Sequence, residues 1–257
     1  MTNLHFLDPN PAGAPAVFLL HGLGVNATSW SLQFPALIDC GFRPLAPDVP
    51  GFGESPYDGR GWSFRRVAED LAAWLDELAV GPVHVVGLSM GAVIAEQLAL
   101  DTPWLVRRLV LVSGFAALRP EKATGWLYLL RRLALVSFKG IPAQAEFVAA
   151  RLFPEPGQAP FRQMLVEQIT EADPRAYHAA MRSLAFFDVR RRLQRLNVPT
   201  LVITGACDGT VSLATQKKLA AGIPGARQVI VEGAGHAVSV AHPDEFNRAL
   251  MEFLREG

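Results

Sequence analysis

The 257-residue chain reads as an α/β protein, a mostly parallel, doubly wound sheet with an inserted helical cap, and three observations predict it. Short apolar, β-rich runs alternate with segments of helical periodicity along most of the chain, the order of a parallel sheet with crossover helices. The alternation lapses between residues 118 and 189, where helical or irregular patterns run on without a convincing strand. Half of the residues are apolar and only 19% are charged. A chain of this mass buries about 70% of its unfolded surface by scaling with size, which suits one large core and excludes a disordered or collagen-like chain.

The first strand-like run is Ala16–Leu20, and others follow at Arg43–Ala46, Val83–Val86, Arg108–Val112, Thr200–Thr204 and Gln228–Val231. Their apolarity is largely unbroken, as expected for parallel strands covered on both faces. Between them, Ser63–Leu78 sets Val67, Leu71, Trp74, Leu75 and Leu78 at three- and four-residue spacing. Pro243–Leu254 does the same with Phe246, Leu250, Phe253 and Leu254, so both are amphipathic helices with one face on the sheet. The implied division is a core of residues 1–117 and 190–257 with a cap of residues 118–189. The cap is rich in large apolar side chains, most of which form its own core and its seam with the sheet. A minority should line a pocket, because ligand sites at such seams are mostly apolar. Trp126, Phe147 and Phe186 are the positions expected to do so.

Twenty-four basic residues balance twenty-four acidic ones. That balance provides no electrostatic footprint for nucleic acid or anionic lipid. Cys40 and Cys207 stand far apart and outside any Cys/His spacing, so neither a disulfide framework nor a zinc site is indicated. The N-terminal segment lacks a basic n-region, and Ala16–Leu20 is too short for a membrane span. The expectation is a cytoplasmic protein that meets a small molecule, with no nucleic acid, membrane, metal or organic cofactor.

The chemistry concentrates where the Val83 run ends in Gly87-Leu-Ser89-Met-Gly91 and a helical pattern begins. This is G-x-S-x-G between a strand and a helix, the setting in which the pattern has mechanical meaning. A serine on so tight a turn has strained dihedrals, and glycines are needed where strand and helix close on it. The blander reading of Ser89 is a helix N-cap.

Further segments share a pattern with this one. His21-Gly-Leu-Gly24 follows the first buried strand, Asp48-Val-Pro-Gly-Phe-Gly-Glu-Ser55 follows the next, and Gly205-Ala-Cys-Asp208 and Gly233-Ala-Gly-His236 follow later ones. With the serine turn, these five segments in this order resemble the α/β-hydrolase superfamily, of the capped serine esterase and C–C hydrolase type, over nearly the whole chain. The resemblance implies the α/β-hydrolase fold and the order Ser89, Asp208, His236 for nucleophile, acid and base. It also assigns the oxyanion donors to the backbone N–H groups of Leu23 and Met90. Met90 has an argument of its own, since the amide after the serine opens a helix whose dipole favours developing negative charge. Asp188 and Asp173 are rival carboxylates for the acid. The bland reading of His236 is a surface loop histidine. His84 reads as a packed strand residue, and His21 as a brace for the loop that follows it.

The function implied is hydrolysis of small to medium carboxylic esters through an acyl-enzyme on Ser89. Cleavage of a C–C bond or a lactone by the same groups is the alternative within catalysis. A small-molecule receptor with a weakly active triad is the alternative outside it, because one fold hosts many functions.

Overall fold

A computed structural model describes residues 4–118 and 123–256, so residues 1–3 and 257 of the expected core and 119–122 of the expected cap lie outside the described residues. One sheet runs through the described chain. Its strands are β1 (Phe6–Leu7), β2 (Ala16–Leu20), β3 (Arg43–Pro47), β4 (Val83–Leu88), β5 (Val106–Val112), β6 (Thr200–Gly205) and β7 (Arg227–Val231). They lie in the order β1-β3-β2-β4-β5-β6-β7 and pair in parallel, except that β1 runs antiparallel to β3 with Phe6 opposite Pro47. The six predicted runs are β2 to β7. The edge strand β1 has no sequence signature, since two residues show no periodicity.

The helices of the first half are α1 (Phe34–Asp39), α2 (Phe64–Glu77) and α3 (Met90–Asp101). Then come α4 (Ala123–Phe138), α5 (Gly140–Leu152), α6 (Ala159–Glu171) and α7 (Pro174–Phe186), all between β5 and β6. The chain ends with α8 (Leu213–Gly222), α9 (Val238–Ala241) and α10 (Pro243–Leu254). Ser63 caps α2, its side chain accepting from the Arg66 N–H, which explains where the periodic stretch starts. Among the described residues no helix is long and apolar enough to cross a membrane.

The strands divide their side chains between two cores. On one face, Phe18, Leu20, Leu45, Val85, Leu109 and Leu111 pack with Val67, Leu71 and Trp74 of α2, with α3, and with cap residues such as Ile169 and Tyr177. On the other, Val17, Leu19, Val86, Val110 and Val112 pack with Phe246, Leu250 and Phe253 of α10. Each such fully buried side chain contributes about 1.5–3 kcal/mol by leaving water. From β2 the chain steps outward to β3 and then back across to β4, so a crevice opens at the carboxyl ends of β2 and β4. That reversal is where open parallel sheets bind ligands.

Candidate active site

Ser89 stands on the turn between β4 and α3 with φ 55° and ψ −108°. A non-glycine residue at positive φ costs on the order of 1–3 kcal/mol and persists only where the surroundings dictate it. Here the Ser89 N–H donates to the Val112 carbonyl at 2.8 Å, and the Ser89 carbonyl accepts from the Val93 N–H at 3.2 Å. The flanking glycines are required by contact. A Cβ on Gly87 would sit 2.2 Å from the Gly91 carbonyl oxygen, and one on Gly91 would sit 2.0 Å from that of Leu20.

His236, on the loop after β7, brings Nε2 to 2.9 Å from Ser89 Oγ and Nδ1 to 2.8 Å from Asp208 Oδ2. A carboxylate can only accept, so Nδ1 carries the proton and Nε2 is free to take one from the serine hydroxyl. Asp208, on the loop after β6, is buried and further held by the N–H groups of Thr210 (2.7 Å) and Val211 (2.9 Å) and by Gln216 Nε2 (3.0 Å). Burial pushes its carboxyl up, but the facing His236 and these two backbone donors outweigh burial and hold it below the ordinary carboxylate range. The charged form is therefore the resident one. Asp188 instead pairs with Arg190 at 2.6 Å, and Asp173 caps α7 while pairing with Arg175 at 2.7 Å.

The loop after β2 faces this constellation, with Gly22 and Leu23 sharing one cavity wall with Ser89 and His236. His21 is fully buried, and its ring fixes the loop. Its Nε2 accepts from the Val49 N–H at 2.9 Å, so its Nδ1 donates to the Gly22 carbonyl at 2.8 Å. Burial lowers its pKa and keeps the ring neutral, as those two bonds need. Met90 is the first residue of α3, and its N–H is among those that a helix N-terminus leaves without an intrahelical acceptor.

Gln216 and Ser113 belong to the site but carry no motif. Buried Ser113 donates from Oγ to the His236 carbonyl at 2.9 Å and so seats the histidine loop. Gln216 stands between Thr215 and Lys217 and Ser113 ends an apolar run, so only their burial would have flagged them.

Above the serine lies a cavity of ≈130 Å³, roofed by cap side chains that include Tyr128, Val148, Leu152, Phe153, Phe161 and Leu184. The three cap residues expected there are elsewhere. Trp126 is 47% exposed and Phe186 is 81% exposed, while Phe147 packs its ring on Tyr128 with centroids 5.7 Å apart. The reason is helical phase, at about 100° per residue. Phe147 is one residue short of the inward Val148, Phe186 two beyond Leu184, and Trp126 two before Tyr128. Size and apolarity marked the right helices but not their inward faces. Two strand and loop histidines fall where expected, with His84 buried against Phe42 and His21 bracing its loop.

A family model described as "Alpha/beta hydrolase family" matches residues 17–249. The chain is 33% identical over 260 residues to "Putative carbamate hydrolase RutD" of Variovorax paradoxus, covering 98% of this chain and 96% of that one. It is 32% identical over 256 residues to a 2-hydroxy-6-oxononadienedioate/2-hydroxy-6-oxononatrienedioate hydrolase of Cupriavidus pinatubonensis, covering 95% and 88%. Among solved structures, a thermophilic esterase from Thermogutta terrifontis superposes with a TM-score of 0.85 at 28% identity, covering 98% of this chain and 93% of that one.

Proposed function

This chain belongs to the alpha/beta hydrolase family, and from that premise we propose that it is a serine hydrolase cleaving small to medium carboxylic esters through an acyl-enzyme on Ser89. The observation that carries the reading is the hydrogen-bonded sequence Ser89 Oγ, His236, Asp208 at 2.9 and 2.8 Å, opening on a mostly apolar cavity. A serine hydroxyl is a weak nucleophile unless a base takes its proton during attack, and His236 Nε2 is placed for that. The new O–C bond drives the carbonyl electrons onto oxygen, and the N–H groups of Leu23 and Met90 receive that charge. Collapse expels the alcohol, which leaves with the proton from His236. Water, deprotonated by the same nitrogen, then attacks the acyl group and releases the acid. Asp208 holds the histidine tautomer and stabilises the imidazolium between these steps. The cap helices α4–α7 act as the lid that selects the acyl part.

The same groups suit attack on a carbamate or a ring-fission diketone, and the names borne by the Variovorax and Cupriavidus relatives favour these as the second reading. The test is a series of p-nitrophenyl esters from acetate to octanoate, run beside Ser89→Ala. The reading requires many equivalents of p-nitrophenol from the shorter esters and none from the variant. A single burst or none would turn the assignment toward a receptor, and turnover confined to carbamates or diketones would move the substrate class.

A further inference from the structure

Among the described residues, Arg132 of α4 is the one Lys, Arg, Asp or Glu side chain that lines the mostly apolar cavity, whose other polar groups are Ser29, Ser89, Tyr128, Gln168, Thr210 and His236. Among the described residues no carboxylate lines the same cavity, and Arg132 has no ion-pair partner. Its anchor is a neutral amide. Gln144, fully buried on α5, has its amide placed so that the orientation satisfying both groups accepts from Arg132 Nε at 2.7 Å and Nη2 at 3.1 Å and donates back to the Arg132 carbonyl at 3.3 Å. A guanidinium has five N–H donors, so two are spent on Gln144 and three remain. Beside it lie Tyr128, which lines the cavity, and Tyr177, which does not, at side chains only 8% and 0% exposed, and neither hydroxyl makes a hydrogen bond. Burial works against the charge on Arg132, but the neighbouring Tyr128 and Tyr177 oxygens outweigh it and the guanidinium stays protonated.

The neighbouring Arg131 shows what an ordinary cap arginine does here. It lies exposed, its guanidinium 4.7 Å from the Phe147 ring centre, outside the cavity. Arg132 differs in being turned inward and pinned in one orientation. A fixed cation and the unpaired Tyr128 hydroxyl in a mostly apolar cavity carry a desolvation cost that a ligand with a compact, accepting anion would relieve. A carboxylate fits the planar donor fork and the small volume.

We propose that Arg132, with the Tyr128 hydroxyl beside it, forms a carboxylate-binding end to the cavity, so that the substrates carry a free carboxylate remote from the bond cleaved at Ser89. Monoesters of short dicarboxylic acids are the simplest such class. The reactive end of this statement rests on the serine hydrolase reading, whereas the anion site rests on the cap residues alone.

The two are separable by experiment. Binding is measured calorimetrically on the Ser89→Ala protein with monomethyl glutarate and with methyl pentanoate, which lacks the charge at nearly the same length. The glutarate monoester should bind about 10- to 100-fold more tightly, the span of a charge-assisted hydrogen bond. Arg132→Met on that background should abolish the preference, Tyr128→Phe should reduce it, and Arg131→Met should leave it in place. Equal affinities, no binding of the glutarate monoester, or a preference surviving both the Arg132 and the Tyr128 substitutions would overturn the proposal. In the Ser89 protein, the ratio of kcat/KM for mono-p-nitrophenyl glutarate over p-nitrophenyl pentanoate should fall with Arg132→Met in the same way. If neither ester turns over while the binding preference holds, the hydrolase reading fails and the anion site stands. Turnover of both at one rate, unaltered by Arg132→Met, would remove the anion site and leave the hydrolase reading in place.

Discussion

At the floor of the cavity, Ser89, Asp208 and His236 hang from strand ends and are fixed by backbone hydrogen bonds, such as those from Ser89 to Val112 and from Thr210 and Val211 to Asp208. At its roof, Tyr128, Val148, Leu152 and Leu184 come from helices whose hold on the floor is side-chain packing and a few tethers. Those tethers include the Asp173 N–H on the Gly51 carbonyl, Arg151 on the Gly209 carbonyl, and Ile169 and Tyr177 against Gly24, whose φ of 84° and lack of a Cβ admit them. A floor built on backbone tolerates almost no variation in position, while a roof built on helix faces can be recut by changing one side chain. Chemistry should therefore be vulnerable at the floor and selectivity at the roof.

The sharpest way to break that contrast is at the floor. Ser89→Ala and His236→Ala should each lower kcat by about 10⁴–10⁶, and the double variant should be no worse than the weaker single one, because the pair acts as a unit. Turnover kinetics with a short p-nitrophenyl ester measure both. Additive losses would mean that the two side chains do not share one proton transfer.

Next in size is the acid. Asp208→Asn leaves an amide that can present N–H to His236 Nδ1 and so favours the wrong tautomer, for a fall in kcat approaching about 10⁴. Asp188→Asn, which disturbs the pair with Arg190, should keep activity within about threefold. Were the Asp188 variant inactive and the Asp208 variant normal, the acid would be misassigned while the serine and histidine roles stood.

At the roof the effect should be smaller and of another kind. Leu152→Ala and Phe161→Ala remove apolar surface that faces the cavity, and should change the preference between short and long acyl chains by about 10- to 200-fold, the reach of one or a few methylenes. Trp126→Ala and Phe186→Ala, outside the cavity, should leave the acyl profile unmoved. Comparison of kcat/KM across the ester series decides it, and a profile indifferent to Leu152 and Phe161 would deny the cap its selecting role.

The same contrast explains what could be read from the sequence. Parallel strands announce themselves as unbroken apolar runs, and the turn at Ser89 needs glycine at 87 and 91 for contacts nearer than 2.5 Å, so the floor leaves local marks. Helix α10 was legible because Phe246, Leu250, Phe253 and Leu254 face one sheet. Cap helices contact the floor, each other and solvent at once, so an exposed Trp126 and a cavity-lining Tyr128 look alike two residues apart. Arg132 sat in view as an interruption of an apolar stretch, yet its setting depends on Gln144 from another helix. A long-range polar partner such as Ser113, which holds the His236 carbonyl, is invisible for the same reason.

Stability should also vary with pH through the floor. His84 on β4 is buried, its Nδ1 without a partner, and burial with the nearby Arg107 and Arg108 lowers its pKa from 6.5 to about 4. The unfolded chain then binds a proton that the folded chain refuses, so stability present above about pH 6.5 should drain away as pH falls toward 4, by up to about 3 kcal/mol. In urea titrations across that range, His84→Phe should flatten this acid loss, and an unaltered slope would assign it to other groups.

The last and smallest effect concerns Glu96, which α3 carries into the core about two turns beyond Ser89. Its side chain is fully buried, neither carboxyl oxygen has a hydrogen-bond partner, and burial alone drives its pKa well above the ordinary value of 4.5. The sign is opposite to that of His84. A carboxyl with a raised folded pKa favours the fold below its unfolded pKa, and that support is lost as pH rises toward the folded value. Glu96→Leu removes both the titration and an unsatisfied acid, so it should raise the unfolding free energy by about 1–3 kcal/mol at pH 8 and by less at pH 5. Because the carboxyl shares the space over Gly114 with the apolar side chains of Ala92 and Leu219, the substitution asks for no new polar partner. Denaturant midpoints at the two pH values test it. A variant less stable than the parent at pH 8 would show that Glu96 is held by the floor for a purpose its isolation conceals, which would place a further positioning residue on α3.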